Sequence, residues 1–395
     1  MNALQLYLVL YGTLALAHIL VQILLGDLEF RRQKRLPFDP GWTPPVTVVV
    51  PIYNEEITVL HQCLRSIEAQ RYPDVEAIVI DDGSIAREEL VDVLDEFADS
   101  GFRVSLKPNS GKRHSQRAVL DGASGQVIVT VDSDTALAPD AVRMIVQRMR
   151  DPRVGAVTGD VRVANRKTNL LTRLISYRYW AAFHQERAAQ SLFGVVMCCS
   201  GPFSAYRRDV LDEVKHAYAE QRFLGRTCTF GDDRHLTNLV LARGYRAVFD
   251  QRAVALTQVP TNLFAYLRQQ TRWNKSFYRE MLWTARFAHR RHPYLALDLF
   301  LQAVLPFLLL GALGAVVYQA VAIDPAVAYR YLLVLVGIAL LRSSYGLLRT
   351  RDRGFVTFIL YGFMHVLLLI PVRLYALATI RRTQWGTRAA GAPAS

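Results

Sequence analysis

Thr130-Val131-Asp132-Ser133-Asp134-Thr135 follows a short apolar run, Gln126-Val127-Ile128-Val129. The run reads as a buried strand, and two carboxylates stand at i and i+2 where it ends. Side chains two apart on a strand point to the same face, so Asp132 and Asp134 can share one divalent cation. Hard oxygen ligands suit Mg²⁺ or Mn²⁺, ions that also hold diphosphates. An isolated Asp-x-Asp is more often a turn or a cap. The surrounding chain decides the meaning of this one.

Upstream, strands alternate with helices. Val46-Val50 predicts a strand, Asn54 to Ala69 a helix, and Glu76-Ile80 a second strand that ends in Asp81-Asp82-Gly83-Ser84. Glu88 to Asp99 predicts a helix, Arg103-Leu106 a strand and Ser115 to Ala123 a helix before the strand that ends at Asp132. This alternation implies an α/β fold with a mainly parallel sheet and right-handed crossovers. Such sheets bind ligands outside the carboxyl ends of their strands. Pro51-Ile52-Tyr53-Asn54-Glu55, Asp81-Ser84 and Asp132-Asp134 are therefore expected to converge on one cleft. A second half, about 155–272, carries Tyr177-Arg178-Tyr179-Trp180, the segment Glu186 to Tyr206, Gly231-Asp232-Asp233-Arg234-His235 and Gln269-Gln270-Thr271-Arg272-Trp273.

The ends differ in composition from the middle. The chain has 395 residues, a net charge of +13, and 51% hydrophobic residues. Leu4 to Leu25 is uncharged, apolar and long enough to span a bilayer. No Lys or Arg precedes it and no small-residue cleavage site ends it, which favours an anchor over a signal peptide. Arg31, Arg32, Lys34 and Arg35 come after it, so the positive-inside rule places the chain beyond Leu25 in the cytosol. Leu295 to Ala322, Tyr331 to Leu348 and Phe355 to Ile380 are further membrane runs, the last interrupted by Pro371 and Arg373. A bend near Pro371 would keep the basic tail cytosolic. Arg373 is a candidate channel residue, with a snorkelling arginine as the rival reading. Asn274 to His292, with Phe277, Met281, Trp283 and Phe287 among basic residues, suits an interfacial helix. The organisation expected is an anchor at 1–30, a linker at 31–45, an α/β domain at 46–273, an interfacial helix at 274–294, a membrane region at 295–380 and a tail at 381–395.

The basic charge lies mostly beside membrane runs, so nucleic acid is not expected as a partner, and a transporter without chemistry does not explain so large a cytosolic domain. Cys63, Cys198, Cys199 and Cys228 lie in no Cys-x-x-Cys pair and read as reduced, buried thiols. No signal of oligomeric state is present.

A diphosphate clamp is one part of a transferase. Asp82 is placed to accept a hydrogen bond from a uracil N–H, with Pro51, Tyr53 and Glu55 closing the other side of the base. Lys112 and Arg113 are placed to meet phosphate or carboxylate charge; one Gly before the lysine and no Ser or Thr directly after it exclude a Walker loop. Inverting sugar transfer needs one general base, and Asp233 is the candidate, with a helix N-cap as the competing reading. Trp273 offers an aromatic platform for a pyranose and Arg272 a cation for the diphosphate.

Val79-Ile80-Asp81-Asp82-Gly83-Ser84, Val131-Asp132-Ser133-Asp134, Gly231-Asp232-Asp233 and Gln269-x-x-Arg272-Trp273 together resemble the processive inverting family 2 glycosyltransferases, which share a GT-A fold. The resemblance covers about residues 45–390 and is closer to bacterial class I hyaluronan synthases. That likeness is carried by Gly111-Lys112-Arg113-His114, Asn165 to Arg173, Cys199-Ser200-Gly201-Pro202, Arg272-Trp273-Asn274-Lys275-Ser276-Phe277 and Trp385-Gly386-Thr387-Arg388. Nodulation chitin-oligosaccharide synthases are close relatives, sharing Glu186-Arg187-Ala188-Ala189-Gln190-Ser191 and Met197-Cys198-Cys199. A single membrane run before the α/β domain matches them rather than the hyaluronan enzymes, which usually begin with two.

By resemblance, Asp82 contacts uridine, and Asp132 and Asp134 hold the nucleotide and Mg²⁺ or Mn²⁺. Asp233 is the base. Gln269, Arg272 and Trp273 line the acceptor and diphosphate site, and Lys112 and Arg113 help bind donor phosphates or a glucuronate carboxylate. Ser200, Gly201 and Pro202 line the acceptor pocket, and Trp385 to Arg388 gate the site. The resemblance implies UDP-GlcNAc and UDP-GlcA as donors, a nascent polysaccharide as product and membrane lipids as surroundings. It also implies a multi-pass protein of the plasma membrane. Chitin oligosaccharide made from UDP-GlcNAc alone is the alternative.

Overall fold

The structure is a computed structural model that describes residues 3–85 and 87–383. A long helix, α1 (Ala3–Arg35), leads into β1 (Val46–Ile52), α2 (Ile57–Glu68), β2 (Val75–Asp81), α3 (Arg87–Asp99), β3 (Arg103–Leu106), α4 (Lys112–Leu120), β4 (Val127–Val131) and β5 (Thr135–Leu137). The second half continues with α5 (Ala141–Gln147), β6 (Val154–Val163), α6 (Leu170–Ala181), α7 (Ala188–Phe193), β7 (Phe203–Arg207), α8 (Arg208–Ala219), the small hairpin β8 (Arg222–Phe223) and β9 (Arg226–Thr227), α9 (Asp232–Ala242) and β10 (Arg246–Thr257). A last group of helices comprises α10 (Leu263–Thr284), α11 (Pro293–Ala322), α12 (Ala326–Thr350), α13 (Ile359–Met364) and α14 (Ile370–Ala378).

Eight strands form one sheet in the order β3-β2-β1-β4-β7-β6-β10-β5. β1 pairs in parallel with β2 and β4, β2 pairs in parallel with β3, and β6 pairs in parallel with β10. β7 runs antiparallel between β4 and β6, and β5 antiparallel to β10. The apolar runs read from sequence are the central strands: Val48, Val50, Val79, Val129 and Val131 are fully buried. This is what a sheet covered on both faces requires. The observed strands β1 and β2 run two residues or one beyond their predicted ends, through Ile52 and Asp81. The helix expected from Ser115 begins at Lys112 instead.

The N-terminal helix does not stop at the basic cluster. It runs on to Arg35, so residues 31–35 are helix rather than linker. Its last turns are built into the α/β domain. Gln33 Nε2 donates to Phe249 O at 2.7 Å, and buried Glu29 accepts from Ser191 Oγ at 2.8 Å and pairs with Arg32 and Arg148.

Among the described residues, four stretches are long and apolar enough to cross a membrane: Ala3–Arg35, Pro293–Ala322, Ala326–Thr350 and Arg353–Ala378. The last is not one straight helix. It begins as a 3₁₀ turn (Arg353–Phe358), becomes α13, widens to a π turn (His365–Leu369) and resumes as α14. Pro371 lacks the N–H that an unbroken α-helix would use, and a π widening just before it absorbs the mismatch. Both ends of this stretch touch the α/β domain. Asp352 pairs with Arg166 at 2.7 Å, and Thr383 O accepts from Thr229 N at 3.1 Å. The residues flanking this stretch on both sides are thus tied to the α/β domain.

The helix expected from Asn274 begins eleven residues earlier, at Leu263, and passes without a break through Gln269, Arg272 and Trp273. Asn274 through Glu280 are all buried. The amphipathic pattern points to a surface helix, but the central part of α10 is covered by protein, with Arg373 of α14 donating to Asn274 Oδ1 at 2.9 Å.

Candidate active site

The loops after β1, β2 and β4 meet through side-chain hydrogen bonds. Asn54, whose φ of 50° is one that Asn tolerates better than most residues, donates its N–H to Ser84 Oγ at 2.9 Å and accepts at Oδ1 from Ile85 N at 2.8 Å. Ser133 Oγ donates to Glu55 Oε2 at 2.7 Å, tying the first loop to the acidic stretch. Pro51 is buried in β1, and Tyr53 and Glu55 are half-buried at its end.

Asp132 and Asp134 emerge half-buried beyond β4. Asp134 Oδ1 accepts from the hydroxyls of Thr135 at 3.1 Å and Thr257 at 3.2 Å. Burial, then the carboxylates of Asp132 and Glu55, push its carboxyl up to about 7. That crowding of negative charge is what a divalent cation relieves. Among the described residues no group of three or more His, Cys, Asp or Glu is arranged to hold a metal. A cation here would take one or two carboxylates and complete its shell with donor phosphates and water, the usual manner of Mg²⁺. The donor set fits such an ion.

Lys112, at the start of α4, places its ammonium against Asp132 Oδ1. Burial alone would lower its pKa; the carboxylates of Asp132, Asp232 and Asp233 together raise it. Gly201 lies on the other side of Asp132, where an added Cβ would come within 3.0 Å of Oδ2. Ser200, Gly201 and Pro202 form the turn into β7, held by Ser200 N donating to Thr158 Oγ1 at 3.1 Å. These residues stand beside the acidic stretch.

Asp82 is buried, and its carboxylate accepts from Ser110 N at 3.0 Å, Gly111 N at 2.8 Å and Ser115 Oγ at 2.7 Å. It fixes the loop that delivers Lys112. Arg113 differs from its expected role. Its side chain is 4% exposed, paired with Asp232 through Nε and donating from Nη2 to Phe230 O at 3.1 Å. It points into the protein and clamps the turn before α9, and a contact with donor phosphate or a glucuronate carboxylate does not follow from this placement.

That turn presents Asp232 and Asp233. Gly231 has a φ of +86°, and a Cβ there would collide with Ser276 Oγ of α10. Both carboxylates lie in the first turn of α9, where the helix dipole favours negative charge. Asp232 is buried on Arg113. Asp233 is half-buried and accepts at Oδ1 from Arg234 N at 2.8 Å and at Oδ2 from Cys198 Sγ at 3.3 Å. The Arg234 guanidinium lies over the Phe277 ring at 5.4 Å.

On α10, Trp273 is 44% exposed and its ring centroid stands 6.4 Å from that of Tyr179. Gln269 Oε1 is buried with no hydrogen-bond partner among the described residues, and Arg272 is half-buried one turn on. Trp385, Gly386, Thr387 and Arg388 lie outside the described residues. The chain reaches them from Thr383, which is anchored at Thr229, two residues before Gly231.

Comparison with known proteins settles the family. Residues 47–215 match the family described as glycosyl transferase family 2. Over 359 residues the chain is 40% identical to an N-acetylglucosaminyltransferase of Sinorhizobium fredii, covering 90% of this chain and 86% of that one. The chain belongs to glycosyl transferase family 2. It is also 36% identical over 387 residues to a hyaluronan synthase of Streptococcus pyogenes, covering 96% of this chain and 90% of that protein. A solved mannosyltransferase, PcManGT of Pyrobaculum calidifontis in complex with GDP-Man and Mn²⁺, shares the fold with a TM-score of 0.62 at 24% identity, over 94% of this chain and 99% of that one. The α/β domain is thus a GT-A-like glycosyltransferase fold, accompanied among the described residues by four helical stretches long and apolar enough to cross a membrane.

Two residues beside this candidate site are not assigned to it by the sequence. Cys198 reads there as one of the buried thiols, yet it touches Asp233; burial and the Asp233 carboxylate push its thiol up to about 12. Tyr179 reads only as part of an aromatic run. Burial, followed by Asp134 as the largest electrostatic influence, raises its phenol, with Asp132 and Asp233 adding to the rise. Its ring stands beside that of Trp273. Their spacing from Asp132 and Asp233 along the chain gives no hint of either contact.

Proposed function

We propose that this glycosyltransferase is a membrane-embedded, processive, inverting hyaluronan synthase that uses UDP-GlcNAc and UDP-GlcA alternately in one cytosolic cleft and extrudes the chain across the plasma membrane. The observation that carries transfer is the division of labour between adjacent carboxylates. Asp232 is spent on Arg113, while Asp233 is held in the first turn of α9 beside Cys198. Asp233 takes the proton of the acceptor hydroxyl as that oxygen attacks the anomeric carbon from the face opposite the diphosphate. The sugar–phosphate C–O bond breaks and UDP leaves with the electron pair. Lys112, Arg272 and the ends of β1, β2 and β4 hold the nucleotide, with Asp82 shaping the loop around the base. Asp132 and Asp134 are the residues that would hold Mg²⁺ or Mn²⁺, which supplies charge stabilisation to the departing diphosphate. Trp273 and Tyr179 give an aromatic wall for the acceptor sugar, next to Gln269 and the Ser200-Gly201-Pro202 turn. The bond from Thr229 to Thr383 brings the start of the C-terminal tail near the catalytic turn, which supports gating by Trp385 to Arg388.

The choice of hyaluronan rests on Asn274-Lys275-Ser276 and the tail Trp385-Gly386-Thr387-Arg388, which resemble the hyaluronan synthases more than the chitin-oligosaccharide synthases; Ser276 lies against Gly231 of the catalytic turn. The second reading, chitin oligosaccharides from UDP-GlcNAc alone, is favoured by the 40% identity to the Sinorhizobium N-acetylglucosaminyltransferase. Both readings require the same base. Membranes given UDP-sugar with Mg²⁺ or Mn²⁺ are expected to release UDP and form polymer. Asp233→Asn is expected to stop transfer while leaving UDP binding intact; full activity in that variant would remove Asp233 from the role.

A further inference from the structure

A cavity of about 400 Å³ opens between the end of α1 and the amino ends of β6 and β10. Arg32, Arg148, Arg150, Arg153, Arg246 and Arg252 line it, with Asp151 as the one lining carboxylate among the described residues. Because β7 is antiparallel to both β4 and β6, β6 and β10 run in the same direction as β4. Their amino ends therefore lie at the opposite end of the sheet from the carboxyl ends that carry the cleft.

The arginines outnumber their partners. Arg32 and Arg148 share Glu29, Arg153 and Arg246 share Asp151, Arg150 meets Asp39 at 3.3 Å and Arg252 meets Asp250 at 2.7 Å. Six cations thus share four carboxylates. Arg148 is buried, and its Nη1 has no hydrogen-bond partner among the described residues. Burial, against the pull of Asp250 and Glu29, lowers its pKa, and the neighbouring cations Arg32 and Arg252 lower it further. A merely solvated basic face has neither an enclosing cavity nor a buried, unpaired guanidinium N–H.

We propose that this cavity binds a phosphate-bearing anion of about two negative charges, which balances the excess and supplies the missing acceptor. Arginine forks match phosphate oxygens in pairs. Two sources carry that chemistry, a lipid headgroup and a free phosphate compound. Arg32 lies seven residues beyond Leu25, where the apolar run ends, which is about 10 Å along a helix. A headgroup layer extends roughly 5–8 Å past the hydrocarbon, so the mouth of the cavity is at its outer edge, within reach of either source. Occupancy would fasten α1 to the sheet.

The test uses the full-length protein in phosphatidylcholine nanodiscs, with saturating UDP to fill the donor cleft. Inorganic pyrophosphate is titrated in one arm; in the other, phosphatidic acid, whose phosphomonoester carries up to about two charges, replaces part of the lipid. The double variant Arg150→Gln/Arg246→Gln is compared with the wild type, after its unliganded thermal midpoint and UDP binding are matched; Arg153→Gln, at a side chain 73% exposed, is the milder second variant. Saturable pyrophosphate binding that the double variant weakens about tenfold supports the site with a free ligand. A rise in midpoint with phosphatidic acid that the variants lose supports it with a lipid. Wild-type protein that responds to neither anion, or variants that respond as the wild type does, would overturn the proposal.

Discussion

Asp232 and Asp233 are neighbours in sequence with different fates. The sequence shows two carboxylates before a helix and gives no means of telling which is paired, because the partner, Arg113, lies 119 residues away. The same distance conceals the true placement of Arg113: a basic residue after a glycine reads as an anion binder, and only the fold turns it inward. Asp132, Asp134 and Asp233 are legible as candidates because short local patterns place them at strand and helix ends. The contacts of Cys198 and Tyr179 are not: Met197-Cys198-Cys199 carries a resemblance, but nothing local ties Cys198 to Asp233, and Tyr179 reads only as part of an aromatic run. Asp233→Asn is expected to lower kcat by a factor on the order of 10²–10⁴, the usual contribution of a general base, with UDP affinity unchanged in a binding assay. Arg113→Ala leaves Asp232 buried without its cation and is expected to cost roughly 3–5 kcal/mol, read as a fall in the unfolding midpoint. An Arg113→Ala protein with wild-type stability and only a raised KM for the donor would restore the phosphate-binding role.

At the level of elements, the central strands and their order of appearance can be read directly, since β1, β2 and β4 are apolar runs bounded by turn residues. The start of α10 is marked locally by Asn262, whose side chain accepts from Ala265 N at 2.8 Å, a cap of the usual kind; the start of α4 at Lys112, after Gly111 with no side-chain cap, carries no such mark. What surrounds α10 is a different matter. Its aromatic and basic residues look interfacial in isolation, yet Ser276 and Phe277 face the turn that carries Asp233. Gly231→Ala would force a Cβ into Ser276 at a positive φ, which only glycine adopts readily. Loss of transfer with folding largely kept is expected, and measurement of both separates the turn from the global fold.

Glu76 offers an element-level stability test. It bonds Thr47 of β1 at 2.7 Å, Ser124 N at 2.9 Å and Arg103 of β3 at 2.5 Å. Burial would raise its carboxyl, but those hydrogen bonds outweigh it and hold it down to about 2. A depressed carboxylate contributes stability that is present above its unfolded pKa of roughly 4.3 and is lost as pH falls through the folded value. Glu76→Gln is therefore expected to cost about 1–2 kcal/mol at neutral pH and to have little effect near pH 2, checked by denaturant unfolding at both pH values.

Across the whole molecule, the apolar ends announce a membrane protein, and the last apolar stretch is tied to the α/β domain on both sides, through Asp352 and Thr383. If the domain is cytosolic, a C-terminal epitope should be reached from the same side as an epitope in the domain. In sealed vesicles both are expected to be accessible in the inside-out orientation only; accessibility of the tail from the opposite side would mean that Arg353–Ala378 crosses fully. The choice of sugars is the least legible property, because it depends on contacts spread over the pocket rather than on the shared acidic motifs. One assay addresses it directly: membranes bearing the protein, Mg²⁺ or Mn²⁺, and labelled donors supplied singly and together. Polymer that forms only when UDP-GlcNAc and UDP-GlcA are both present, with both labels incorporated, is the expected result; polymer from UDP-GlcNAc alone, with no glucuronate taken up, would contradict hyaluronan synthesis.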